Sequence, residues 1–143
     1  MGNKNVIGVL NFESKAWYEW EFKNGIIIGI GIFFFEGGRS YQGTWKNNKM
    51  DGYGYIIWLD DNFYEGEFKE DKKEGFGICR VGKKTFMGMW RDNKLYGNVL
   101  IIEDGKYKKQ YWVNGKTSKN LSNETPIPFE KYADNFMKNL THK

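Results

Sequence analysis

The chain has very few of the residues on which catalytic sites, metal sites and disulfides are usually built. Its 143 residues include one cysteine, Cys79, one histidine, His142, and two prolines. A single cysteine forms no internal disulfide, which favours a reducing compartment. Neither a His-based triad nor a Cys/His zinc site can be assembled from this set. Cys79 follows the apolar residues Phe76 and Ile78, with no base that could activate it, so we expect a core residue and not a nucleophile.

Long apolar segments are also absent. The longest, residues 26–35, is interrupted by Gly29 and Gly31 and falls well short of the roughly 20 residues of a membrane-spanning helix. The first residues have neither the hydrophobic length nor the small-residue cleavage site of a signal peptide. These features predict a cytoplasmic protein without a transmembrane span.

Acidic residues are present, but not in a pattern that indicates chemistry. The run 60–62 (Asp-Asp-Asn) lacks the ligand spacing of a calcium loop and is typical of a turn. The acidic stretch 65–74 is interpreted as a solvated edge of the fold, and not as a pair of catalytic carboxylates. We therefore predict a protein that is not an enzyme, with no catalytic residues, no metal site and no cofactor.

What the chain does have is glycine and aromatic residues in a recurring phrase. Aromatics make up 18% of the chain, and 18 residues are glycine. An aromatic-x-Gly-x-aromatic motif followed by Gly-x-Gly returns about every 22 residues, which indicates one supersecondary unit per repeat. The full copies are Tyr41-x-Gly43-x-Trp45 with Gly52-x-Gly54 and Tyr64-x-Gly66-x-Phe68 with Gly75-x-Gly77; a third is Phe86-x-Gly88-x-Trp90 with Gly97.

Each repeat is predicted to form two short strands. Tyr41, Gly43 and Trp45 alternate with polar residues, so they share one face of a strand. Turn-forming pairs recur at intervals of roughly ten residues, from Asn24-Gly25 to Asn114-Gly115. Connections this short require antiparallel neighbours. The fold class is therefore all-β: a single-layer antiparallel meander of about ten strands between residues 6 and 113.

The Gly-x-Gly pairs need an explanation, because glycine inside a strand costs roughly 0.5–1 kcal/mol relative to alanine. A phosphate-binding loop would require a third glycine at the start of a helix, whereas residues 52–58 continue as a strand. We expect the missing side chains to make room for Tyr and Trp rings lying flat on the backbone, and to let the sheet curl.

This phrase resembles the MORN (membrane occupation and recognition nexus) repeat, most closely in residues 41–55 and 64–79. The resemblance covers roughly residues 6–113. Flanking copies depart from it: Trp20 stands where glycine is expected, and Val99 replaces the second glycine of its pair. Atypical end repeats are expected of a repeat array, because they cap it.

The resemblance implies a non-catalytic scaffold or adaptor with an aromatic-lined groove, working in a cytoskeletal, ciliary or membrane-associated assembly. Its partner would be another protein, or a helix of this chain. An accessory arm of a larger enzyme complex is an alternative, and nucleic acid is not expected because only three of the 22 basic residues are Arg. The residues predicted to contact a partner, here called the aromatic groove, are Trp45, Trp58, Phe68, Trp90 and Trp112.

The C-terminal region is predicted to form a helix. We divide the chain into a repeat sheet (1–119), a linker (120–128), and a helix and tail (129–143). The apolar residues of the last segment fall on one helical face, which is expected to cover the groove. The alternatives are a helix folded onto its own sheet, a helix docked on a second copy in a homodimer, and a helix displaced by a partner. The groove-covering residues are Phe129, Tyr132, Phe136, Met137 and Leu140.

Basic residues concentrate in the second half of the array. Between residues 75 and 119 they clearly outnumber the acidic ones. Such a surface attracts anionic phospholipids, at about 1 kcal/mol per residue near a membrane. Peripheral binding to an anionic lipid surface is thus a second hypothesis. The residues named for it are Lys83, Lys84, Lys106, Lys108 and Lys109.

Overall fold

A computed structural model describes residues 6–11, 17–23, 26–35 and 37–141, with side chains described for 31–35 and 37–135. Within these ranges the chain forms an eleven-stranded antiparallel sheet and one helix. The predicted Asn24-Gly25 turn and His142 lie outside the described residues. The elements are β1 (Val6–Asn11), β2 (Trp17–Lys23), β3 (Ile26–Phe34), β4 (Ser40–Lys46), β5 (Lys49–Ile57), β6 (Phe63–Lys69), β7 (Lys72–Val81), β8 (Lys84–Arg91), β9 (Lys94–Glu103), β10 (Lys106–Val113), β11 (Lys116–Leu121) and α1 (Glu130–Thr141).

Each strand pairs with the next along the chain, so the sheet is an open meander with β1 and β11 at its edges. The predicted fold class is confirmed: ten strands fall between residues 6 and 113, and β11 adds one more. Two-residue turns with positive φ at both positions join several hairpins, as at Asn47 (51°) and Asn48 (67°), and at Glu70 (48°) and Asp71 (69°). These are type I′ turns, whose twist matches that of the flanking strands.

A register shift recurs in each repeat, next to the first glycine of the Gly-x-Gly pair. Between β4 and β5, Gly43 faces Gly54 but Trp45 faces Met50, so residues 51–53 lie opposite Thr44 alone. The same bulge returns between β6 and β7 around Gly75. Gly52 and Gly75 have φ of 91° and 92°, a backbone that residues with a Cβ rarely adopt. The first glycine of each pair is therefore required by the bulge.

The second glycine of each pair lies beneath a tyrosine ring. A Cβ built on Gly54 would stand 2.4 Å from Cε2 of Tyr41, and one on Gly77 would stand 2.4 Å from Cε2 of Tyr64. The prediction that rings lie on the glycine backbone is confirmed for these two positions. For the first glycine of each pair the same prediction is wrong. A Cβ there would meet the side chain of Thr44 or Glu67, and not an aromatic ring.

Rings on successive strands build one core on this face of the sheet. Tyr41 reaches across β5 to Phe68, with ring centroids 5.3 Å apart, and Tyr64 reaches across β7 to Trp90 at 5.4 Å. Both tyrosines are fully buried. Their hydroxyls donate to the carbonyl oxygens of Thr44 and Glu67, at 3.0 and 2.8 Å. Much of this apolar face is thus buried by its own rings.

The opposite face carries a second, smaller core, and the C-terminal helix belongs to it. This helix face consists of Phe76, Ile78, Met87, Leu100, Ile102 and Tyr107, packed with Ile127, Phe129 and Ala133. The rings of Phe76 and Phe129 lie 5.2 Å apart. The prediction that the helix covers the aromatic groove is wrong, because strands β7 to β9 are apolar on both faces and the helix covers the other one. The side chains of Phe136, Met137 and Leu140 lie outside the described residues.

Among the described residues, no helix is long and apolar enough to cross a bilayer.

Candidate partner-binding groove

The five aromatic residues predicted to contact a partner lie on one face of the sheet, but they differ in burial. Trp45, Phe68 and Trp90 are 8%, 4% and 7% exposed and belong to the core of that face. Trp58 and Trp112 are only partly buried and pack against its margin. The structure therefore brings the predicted set together, and it leaves Trp58 and Trp112 as the members that a partner can reach.

Two adjoining cavities open beside these exposed indoles. One, of about 360 Å³, is lined by Phe86, Trp90, Leu95 and Trp112. The other, of about 290 Å³, is lined by Trp58, Lys73 and Arg80. Cys79 and Val81 line both. The floor is apolar and the rims carry polar and charged groups, as in sites that accept side chains of a ligand.

Lys73 is a charged residue within this apolar surface. Its Nζ lies 5.0 Å from the ring centroid of Trp90, 5.2 Å from that of Tyr64 and 5.8 Å from that of Trp58. Burial is the main cause that lowers the pKa of Lys73, and Arg39 lowers it further. Such distances are typical of cation–π contacts, which are stronger where the ammonium has lost water.

The backbone at Lys73 is fixed by the next turn along the array. Asn93 N–H donates to the Lys73 carbonyl at 3.1 Å, and Lys73 N–H donates to Oδ1 of Asn93 at 2.8 Å. Asp71 and Met50 form the same pair of bonds one repeat earlier. Lys73 was not among the residues predicted from the sequence. The repeat pattern does single it out, because Met50 and Leu95 stand at the same distance after their turns as Lys73 does, and both are apolar.

Cys79 is buried in the aromatic core, as predicted. Burial raises the pKa of its thiol, with Lys73 opposing that shift. A thiol held in its protonated form is a poor nucleophile.

The acidic stretch is largely exposed, and several of its carboxylates accept hydrogen bonds from backbone N–H groups. Glu67 accepts from the Phe76 N–H at 3.0 Å, Asp71 from the Met50 N–H at 2.8 Å, and Glu74 from the Asp92 N–H at 3.0 Å. These carboxylates satisfy donors left free by the bulges and turns. Within the described part of the chain, no group of acidic, His or Cys residues is arranged to hold a metal ion.

The basic residues proposed for lipid contact divide into two groups. Lys83, Lys84, Lys106 and Lys108 are exposed. Lys109 is 2% exposed and lies beneath the start of α1. Its Nζ donates to the Asn123 carbonyl at 2.7 Å, and to the Thr125 carbonyl and Oε1 of Glu130, each at 2.5 Å. Lys109 is therefore a structural residue, and its prediction as a lipid contact is wrong.

Comparison with known families agrees with this geometry. A family model for the MORN repeat matches residues 41–62 and 64–80. These are the two segments in which a tyrosine lies over the second glycine of the following pair. A search of curated proteins found no significant match to the chain. Residues 41–62 and 64–80 of this chain are therefore similar to the MORN repeat.

Proposed function

We propose that this protein is a non-catalytic scaffold or adaptor whose aromatic groove binds a segment of another protein. The observation that carries the proposal is the position of α1. The helix packs on the helix face, and no segment of the described chain lies over Trp58, Trp112 and the two cavities beside them. Partly buried aromatic residues beside apolar cavities are typical anchors of protein interfaces.

The MORN match indicates a repeat scaffold or a membrane-associated module. We place the function in a cytoskeletal, ciliary or membrane-associated assembly, where a rigid array holds a partner in position. An accessory arm of a larger enzyme complex would use the same surface.

The test is affinity purification with mass spectrometry, comparing the unsubstituted chain with Trp58→Ala and Trp112→Ala. Since both indoles are partly exposed, their removal should cost binding more than folding. Tyr132→Ala is the matched control, because Tyr132 is an aromatic residue 63% exposed on the helix side of the sheet. We expect partners to be retained by the control and lost from both tryptophan variants. Equal retention by all three would contradict the proposal.

A peripheral lipid-binding module is the second candidate, supported by exposed lysines at one end of the strands. The turns at 82–83 and 104–105 bring Lys83, Lys84 and Lys106 to the same end of the sheet, although Glu103 and Asp104 lie there as well. Changing these three lysines and Lys108 to Gln should abolish sedimentation with anionic vesicles. No sedimentation of the unsubstituted chain at low salt would eliminate this candidate.

A further inference from the structure

Lys73 places a positive charge among the rings of the aromatic groove, which would otherwise be apolar at that position. In the register of the sheet, Trp45 faces Met50, Phe68 faces Lys73 and Trp90 faces Leu95. Met50 packs against the aromatic core, and Leu95 is part of it. The middle repeat therefore carries a lysine at a position where its neighbours have apolar side chains.

The Lys73 ammonium has no carboxylate partner in the part of the chain that the structure describes. The ion pairs found there join Lys72 to Asp92 and Lys109 to Glu130. The groups around the Lys73 ammonium are the rings of Trp58, Tyr64 and Trp90. Aromatic rings compensate an ammonium less completely than a carboxylate does.

Charges on the cavity rims are mostly positive. Lys73 and Arg80 line the cavity beside Trp58, against Asp60. Lys94 and Lys116 line the cavity beside Trp112, with no acidic residue among its lining side chains. An acidic ligand therefore gains electrostatic attraction along the groove, and a basic one is repelled.

We propose that the aromatic groove takes an acidic segment of a partner protein, in which one Asp or Glu side chain pairs with Lys73 and neighbouring apolar side chains enter the cavity beside Trp112. This inference rests on the proposed scaffold function and adds the chemical class of its partner. A protein segment fits better than a lipid surface, because Lys73 is partly buried between rings on a face shared with Trp58 and Trp90, whereas the lysines that a flat bilayer can reach lie at the turns.

The experiment uses the full chain and a phage-displayed library of random linear peptides. Peptides selected on the unsubstituted protein are synthesised and titrated against it and against Lys73→Met. This variant should fold, since methionine already occupies the equivalent position, Met50. Lys83→Met, at an exposed turn, is the matched control for loss of one positive charge. Thermal melts of all three proteins verify the fold.

We expect the selected peptides to share an acidic residue flanked by large apolar ones. Lys73→Met should weaken their binding at least about tenfold, and Lys83→Met should leave it nearly unchanged. Replacing the shared acidic residue by Gln should cause a similar loss with the unsubstituted protein and little further loss with Lys73→Met.

Other outcomes would overturn the inference, and they are distinguishable. Peptides that require Trp112 but bind equally well to Lys73→Met would leave the scaffold function standing and refute the acidic pairing. Selection of no peptide whose binding depends on Trp58 or Trp112 would contradict the proposed function itself. Sedimentation with phosphatidylserine vesicles that is lost in Lys73→Met would assign Lys73 to lipid headgroups instead.

Discussion

Adding one methyl group at Gly77 should destabilise the whole array. The Cβ of Gly77→Ala would lie 2.4 Å from Cε2 of Tyr64 and 2.6 Å from its Cζ, so the ring must move. Tyr64 is fully buried, and its ring contacts Phe68 and Trp90 at centroid distances of 5.1 and 5.4 Å. The substitution therefore disturbs the core of two repeats.

The size of this effect follows from two contributions. Forcing extra volume into a packed core costs about 1–3 kcal/mol. Displacement of the ring also breaks the hydrogen bond from the Tyr64 hydroxyl to the Glu67 carbonyl, which contributes about 1 kcal/mol to stability. The lower backbone entropy of alanine in the unfolded chain offsets roughly 0.5 kcal/mol. We expect a net loss of about 1.5–3.5 kcal/mol in the free energy of unfolding, and a fall in Tm on the order of 10 °C.

Thermal melts followed by circular dichroism measure this loss, with Gly88→Ala as the control. A Cβ at Gly88 would meet Cγ2 of Val99 at 3.2 Å and Cδ2 of Leu95 at 3.4 Å, which small shifts relieve. Its cost should stay below about 1 kcal/mol. In a Tyr64→Leu background, Gly77→Ala should become much less costly, because the ring it meets is gone. A Gly77→Ala protein that melts within about two degrees of the unsubstituted chain would refute the reasoning.

Three further predictions concern the tyrosine hydroxyls, the buried Lys109 and the effect of low pH on α1. Tyr41→Phe should cost about 1 kcal/mol in urea unfolding, since it removes only the hydrogen bond to the Thr44 carbonyl; no loss would show that water replaces it. Lys109→Met should speed hydrogen exchange in residues 127–135 but not in β4 to β6, because the three acceptors that hold α1 lose their donor. Exchange rates in residues 127–135 that are unchanged by the substitution would contradict this role. The hydrogen bond from Lys109 lowers the pKa of Glu130, so its stabilisation is present above the usual carboxyl range and is lost as pH falls through the lowered value. Exchange in α1 should therefore increase in the unsubstituted chain as pH falls below the usual carboxyl range, and Lys109→Met should weaken that dependence, because only the Ile127 N–H then still donates to Glu130.

The strand order and the aromatic face could be predicted because both depend on local patterns. Alternation of Tyr41, Gly43 and Trp45 with polar residues fixes which side chains share a face. Turn pairs such as Asn47-Asn48 then leave only antiparallel neighbours. The contact of Tyr64 with Gly77 follows from the repeat, because a glycine on one strand leaves space for the tyrosine ring of the preceding strand.

The position of the helix was not predicted because part of the sheet is apolar on both faces. Residues 99–102, Val-Leu-Ile-Ile, are apolar at four consecutive positions, which places apolar side chains on both faces of β9. Val99 and Ile101 join the aromatic core, whereas Leu100 and Ile102 lie under the helix. In β4 and β6 several of the corresponding outward positions are polar, as at Gln42 and Glu65.

The burial of Lys109 could not be read from a local pattern. Its partners are two backbone carbonyls and Glu130, which the chain brings into place only by folding back over β10. Surface lysines such as Lys106 and Lys108 precede it in the same strand and look equivalent in the sequence. Tertiary contacts, and not composition, separate the structural lysine from those that remain exposed.

In the structure, α1 packs on the helix face and does not cover Trp58 or Trp112 with any described residue. Methyl-selective NMR with labelled Ala, Ile, Leu and Met tests this directly on the full chain. Ala133 is fully buried against Met87 and Leu100, so its methyl group should show NOEs to those side chains. NOEs from Ala133 to the rings of Trp58 or Trp112 would instead place the helix in the groove and contradict the account.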